Sequence, residues 1–156
     1  MDKTKLTGRP IVVFNDNVSP EELSEIFSDK FDGDIVINGI LSDDYVYRND
    51  FTLDLNGGDM YVDGNVYVNG DFTLCGSLFS TGEVVVHGDV NVDGSLYAGE
   101  FLESFDVFIS EDLICKKIYA NHVKIAGDVE INTYEGNYVA QFKILGSITV
   151  TEGFAI

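Results

Sequence analysis

From residue 58 onward the chain repeats every six residues: a glycine, a short polar residue, then two apolar side chains with one outward position between them. The blocks read GDMYVD, GNVYVN, GDFTLC, GSLFST, GEVVVH, GDVNVD and GSLYAG, with glycine at 58, 64, 70, 76, 82, 88 and 94. Alternation at period two sends the third and fifth residues of each block to one side. The predicted interior is therefore Met60/Val62, Val66/Val68, Phe72/Leu74, Leu78/Ser80, Val84/Val86, Val90/Val92 and Leu96/Ala98. Glycine followed by Asp, Asn, Ser or Glu supplies a corner with relaxed backbone demands. Three such sides close a turn of about 18 residues, stacked at the roughly 4.8 Å spacing of β-strands. Self-similarity at a fixed short period outranks other structural cues, and the predicted fold is all-β: a single-stranded triangular β-solenoid.

The pattern begins in phase at Gly33 (GDIVIN, then Gly39), is broken by a polar and aromatic insertion over 43–50, and resumes at Phe51, Leu53 and Leu55. Past Gly94 the glycines become irregular and some spacings shift to five. Apolar pairs nonetheless persist at Ile118/Ala120, Val123/Ile125, Val129/Ile131, Phe142/Ile144 and Ile148/Val150, while TYEGNY at 133–138 reads as a second excursion. Residues 31–156 are assigned to the solenoid, and positions 33–151 correspond to about six turns of a rod about 30 Å long. Ahead of it, IVVF at 11–14 suits a short buried strand. Ser19, Pro20 and Glu22 form a capping box that opens a helix, with Leu23, Ile26 and Phe27 as its apolar face and an end near Asp29 or Lys30. Residues 1–30 are assigned as a strand-and-helix cap over the open end of the coil.

The Gly-Asp-Val-x-Val units, above all GDVNVDGSLYAGE at 88–100 and GDVEIN at 127–132, resemble those of bactofilins, bacterial polymer-forming proteins built on a right-handed triangular β-helix. The likeness covers about three quarters of the chain. It implies a right-handed coil and a scaffold that assembles through free rod ends, as a homodimer or polymer, with the apolar TEGFAI tail as contact. The predicted N-terminal cap departs from that pattern, because it would block one end.

Charge changes the functional picture. The 156 residues carry 27 acidic against 9 basic side chains, a net charge of -18, and between Phe31 and Asp112 there are 17 acidic residues against one base, Arg48. Such a balance disfavours direct binding to nucleic acid, whose phosphates require Lys and Arg, and draws in basic partners. Stacking places Asp71 near Asp89 and Asp93 near Glu111, in columns. The candidate acidic interaction face comprises Asp59, Asp63, Asp71, Glu83, Asp89, Asp93, Glu100, Glu103, Asp106 and Glu111, with Tyr61, Tyr67 and Tyr97 as candidate aromatic anchors. Acidic pentapeptide-repeat solenoids that imitate duplex DNA offer an analogy of physics, though the period here is six.

Catalytic chemistry finds little support. The left-handed hexapeptide helix of acyltransferases shares the period, but its units lack two large apolar residues per side, and only His87 and His122 could serve as the required base. His87 sits in an outward slot where a solvated histidine is ordinary. Two histidines cannot supply a three-His zinc site, and Cys75 and Cys115 lack the short paired spacing of metal ligands. Clustered-carboxylate polysaccharide chemistry would need more bases than Arg48. Asp59, Asp63, Asp89 and Asp93 offer oxygen ligands to Ca²⁺, yet GGDMYVDG does not follow the nine-residue calcium repeat. No catalytic residue, cofactor or metal is assigned. The cysteines read as free thiols in a reducing compartment, with a single disulfide as the alternative. The opening MDKTKLTGRP lacks the apolar core of a signal peptide and no run approaches a membrane span, which points to the cytoplasm and to no membrane partner. The leading expectation is a non-enzymatic protein that blocks a basic, nucleic-acid-binding surface of another protein, as a phage-encoded inhibitor of a host defence complex would.

Overall fold

The computed structural model describes residues 9–28, 30–42, 48–144 and 148–155, with side chains described up to Glu130 except Asn121. The first part of the insertion, 43–47, lies outside the described residues. Every strand pairing is parallel, and the strands stack into three columns of one coil, an all-β solenoid. Face one carries β1 (Ile11–Phe14), β2 (Asp34–Ile37), the end of β4 (Phe51–Val62), the end of β6 (Phe72–Ser80), β9 (Leu96–Ala98) and the starts of β12 (Leu113–Ile125), β13 (Val129–Ile144) and β14 (Ile148–Ala155). Face two carries β3 (Leu41–Ser42), β5 (Val66–Val68), β7 (Val84–Val86), β10 (Phe101–Glu103) and the middle of β12. Face three carries the starts of β4 and β6, then β8 (Val90–Asp93), β11 (Asp106–Ile109) and the end of β12.

The hexad rule places the interior. All fourteen inward residues of the central blocks are buried, none more than 6% exposed. Ser80, the polar member, donates to Gly64 O at 2.7 Å and accepts from Gly82 N–H at 3.2 Å, so its hydroxyl is satisfied inside the wall. The hexad glycines sort onto the three corners, so every third one stacks. At the corner between faces three and one, a Cβ on Gly76 would overlap the carbonyl oxygen of Gly58, and one on Gly94 that of Gly76. Gly76 also has φ +147°, a conformation L side chains rarely adopt.

Register, unlike burial, does not keep the period. Successive partners on face three run Phe51, Phe72, Val90, Val107 and Val123, which makes about four turns, each spending less chain than the one before. Face one reaches further at both ends and runs through Ile35, Met60, Leu78, Leu96, Leu113, Val129 and Ile148, and its pass from Ile35 to Met60 is longer than a regular turn because it carries the insertion. Beyond Val129, residues 133–136 pair with 117–120, and the register shift falls before Gln141, which pairs with His122.

At the N-terminal end a helix takes the place of a strand. β1 forms the first layer of face one, Val18 bridges to Leu41 on face two, α1 (Pro20–Phe27) lies against β4, and Lys30 bridges to Asp54. The helix thus stands in for face three in the first turn and covers its open edge. Ser19 caps it, accepting from Glu22 N–H at 3.1 Å, and Ser28 ends it in the left-handed conformation at φ 51°. Leu23 is buried, and Phe27 stacks on Phe31 at 4.8 Å and meets Phe14 edge-on at 6.3 Å. Ile26, expected on the apolar face, is 56% exposed, because an end-capping helix touches the core along a narrow line. β1 is likewise only half-buried, having among the described residues a paired strand on one side alone. No described helix is long and apolar enough to cross a membrane.

Candidate interaction surface

Carboxylates at the corners serve the fold first. Asp50 Oδ1 accepts the Asp71 N–H at 2.8 Å, Asp71 Oδ1 accepts the Asp89 N–H at 2.9 Å, and Asp89 Oδ1 accepts the Asp106 N–H at 3.2 Å. Arg48 closes one end of this column, 3.0 Å from Asp71 and 3.3 Å from Asp50, and His122 Nδ1 closes the other, 2.7 Å from Asp106. The corner between faces three and one repeats the device with Asp34 to the Asp59 N–H, Ser77 to Ser95, Ser95 to Asp112 and Asp112 to Asp128. Asn65 does the same for the Glu83 N–H. Each short polar side chain satisfies a backbone donor where the chain bends, which explains why Asp, Asn and Ser follow glycine. The column has an electrostatic cost. Burial, then the neighbouring charges of Asp106 and Asp71, raise the Asp89 carboxyl above its ordinary value, against the opposing pull of the Asp106 N–H and Arg48.

The ten acidic positions consequently spread over three edges and do not form a single face. Asp71, Asp89 and Asp106 line the corner between faces two and three. Asp59 and Glu111 lie at the corner between three and one, with Asp93 just before it, and Asp63, Glu83 and Glu100 lie at the corner between one and two. Glu103 points outward from face two. Asp71 does stack on Asp89. Asp93 does not meet Glu111, because the turn there falls short of the constant period: Asp93 accepts from Ser110 at 2.8 Å, while Glu111 accepts from Ser95 at 3.3 Å. Asp63 accepts from Thr81 at 3.3 Å, and Glu100 pairs with Lys116 at 3.2 Å.

On the outer side of face one, aromatic rings form a ladder. Tyr61 and Phe79 stack at 4.8 Å and 12°, Phe79 and Tyr97 at 4.6 Å and 6°. Strand register extends the row to Val36 and Val13 above and Ile114 below, with Val13 50% and Ile114 37% exposed. Isolated exposed apolar residues need no explanation, but six in one unbroken row, exposed at Val13 and Ile114 and half-buried at the four between, form a patch. Carboxylates flank it on both sides, and Tyr61 donates its hydroxyl to Asp59 at 3.1 Å. Tyr67 stands apart on face two, its hydroxyl donating to Glu83 and accepting from Asn65 at 3.1 Å. Of the three aromatic anchors expected, Tyr61 and Tyr97 therefore belong together and Tyr67 does not. Phe79, which joins them, is signalled in the sequence, since it holds the fourth position of the block midway between theirs on the same side of the coil. Val36 and Ile114 have no such signal, because the turns that bring them to Tyr61 and Tyr97 depart from the constant period.

Cys75 and Cys115 are free thiols. Cys75 faces out from face three, 3.9 Å from Asp93, and desolvation followed by its hydrogen bond to Asp54 pushes the thiol up. The Asn56 N–H holds Asp54 low, helped by Cys75. Cys115 points inward, where burial pushes it up to about 12. His87 is exposed, and among the described residues no three His, Cys, Asp or Glu side chains group to hold a metal ion. Comparison of the chain with protein-family models, with curated proteins and with solved structures found no match.

Proposed function

We propose that this chain is a non-enzymatic interaction protein that docks on a basic surface of another protein, one that handles nucleic acid, and blocks it. The single observation that supports this most is the pairing of two features on one rigid wall: a continuous aromatic and aliphatic row with carboxylates along both margins. Aromatics anchor interfaces, and fixed carboxylates at a regular pitch meet a cleft lined with Lys and Arg much as phosphates would, with counterion release as a driving force. An inhibitor encoded by a phage against a host nuclease would use these features. Capture of a basic nucleic-acid-binding protein, measured at low and high salt with duplex DNA as competitor, tests the reading. Binding should weaken steeply with salt and compete with DNA; capture indifferent to both would refute it.

A second reading, a bactofilin-like scaffold assembling through its ends, draws support from β14, which among the described residues pairs with β13 alone. With α1 over the other end, assembly by that edge closes at a pair. Light scattering at rising concentration separates the readings, since a particle that stays monomeric opposes the scaffold.

A further inference from the structure

We propose that the occupant of face one is a basic amphipathic α-helix of the partner, lying along the solenoid axis with its apolar stripe on the Tyr61–Phe79–Tyr97 ladder. This rests on the docking function proposed above and names the chemistry of the partner.

Dimensions come first. Asp59, within β4, and Asp63, in the bend just after it, bracket Tyr61, at most about 13 Å apart at roughly 3.3 Å per residue, which matches the diameter of about 10–12 Å of a helix with its side chains. From Val13 to Ile114 the row spans five rungs, about 24 Å at strand spacing, or about 16 helical residues at roughly 1.5 Å each. A flat wall of this width fits one cylinder laid lengthwise.

Charge complementarity selects the sign. Asp59 and Glu111 lie on one margin, Asp63, Glu83 and Glu100 on the other, so a helix with Arg or Lys on both flanks of its apolar stripe meets opposite charge on each side. Arginine can also stack over the tyrosine rings. A second copy of this chain would set like rows of carboxylate against each other at a net charge of -18 apiece, and an anionic lipid surface would be repelled in the same way. An extended peptide cannot add a strand here, because each segment of the row from β2 to β12 is already paired on both sides. What remains is a partner that satisfies its own backbone hydrogen bonds and brings basic side chains, which is a helix.

The test uses the full chain and a fluorescein-labelled peptide of about five helical turns, with leucines at i, i+3, i+4 and i+7 spacing flanked by arginines, against a scrambled peptide of identical composition. Fluorescence anisotropy at low salt should show the patterned peptide binding at least about tenfold more tightly than the scrambled one. Phe79→Ser with Tyr97→Ser should remove that preference, whereas Phe108→Ser on face three should leave affinity within about twofold. Glu100→Lys, at an exposed site, should weaken the patterned peptide without touching the ring stack, so the prediction survives if the double variant folds poorly. Equal binding of both peptides, or undiminished binding by the face-one variants, overturns the helix proposal while leaving salt-dependent docking intact. Failure of either peptide to bind, together with salt-indifferent capture of basic protein, overturns both.

Discussion

Asp89 performs two tasks that a pair of substitutions can separate: its Oδ1 accepts the Asp106 N–H at 3.2 Å, and its charge stands one rung from Asp71 on one side and Asp106 on the other. At the roughly 4.8 Å rung spacing, each neighbour repels it by about 0.9 kcal/mol even at the dielectric constant of water. Asp89→Asn and Asp89→Ala both remove that charge, so relief of repulsion is common to them and cancels in their comparison. Only Asn retains an acceptor for the Asp106 N–H, as Asn65 does for Glu83. The Asn variant should therefore be the more stable by about 1 kcal/mol, the net worth of a hydrogen bond at a partly exposed site. Urea unfolding followed by circular dichroism measures this, provided the two slopes agree. The wild type is expected at or below the Asn variant at low salt, and the gap should narrow as salt screens the column. It should also narrow toward acid. The folded carboxyl keeps its proton to higher pH than the unfolded one, so the cost of its charge is present at neutral pH and fades as pH falls through the raised folded value. Equal stability of the Asn and Ala variants would show that the corner rung contributes nothing, and the structural account of the Gly-Asp pairs would fail with it.

Gly76→Ala meets the Gly58 carbonyl and an unfavourable φ at once, and should cost about 2 kcal/mol or more; a midpoint of unfolding close to wild type would contradict the stacked corner. Leu23→Ala empties a fully buried site of the cap helix and should cost about 2–4 kcal/mol, while Ile26→Ala, at an exposed position, should stay within about 0.5 kcal/mol. Hydrogen exchange that leaves the β4 amides equally protected in both variants would rule out the helix as cover for face three. Cys115 should titrate only near 12 in the folded chain, so the stability it contributes is whole below the unfolded thiol value and changes only as pH climbs through the window between that value and 12, where the unfolded chain ionises first and folding is weakened. Thiol labelling should modify Cys75 slowly and Cys115 only with unfolding, and rapid labelling of both would place Cys115 outside the core.

Inward positions were legible because they obey a rule with range two: once Gly64 begins a block, Val66 and Val68 must point the same way whatever the rest of the chain does. The capping box was legible for a similar reason, as Ser19 and Glu22 lie within one helical turn and need nothing else. The candidate surface was read less well. Tyr61 and Tyr97 could be paired through a period of three hexads, but Tyr67 was grouped with them although it occupies another face, and the acidic run that looked like one surface is divided among three corners. Asp71 and Asp89, at second positions of their blocks, also proved to be acceptors for the next turn's backbone, a role invisible without the coil.

What the chain's own order of residues determined is the local pattern: glycine at corners, paired apolar residues inside, a helix opened at Ser19, and an excess of negative charge with hardly a base among it. Outside the evenly spaced blocks that carry Tyr61, Phe79 and Tyr97, the three-dimensional structure alone decided which outward residues share a row, because the length of a turn varies: it is greatest from Ile35 to Met60, across the insertion, and shrinks steadily from Phe72–Val90 through Val90–Val107 to Val107–Val123. That length depends on how much chain each corner and insertion consumes before the backbone hydrogen bonds of one turn close on the last, a condition set by contacts far apart in sequence and therefore by no period within it.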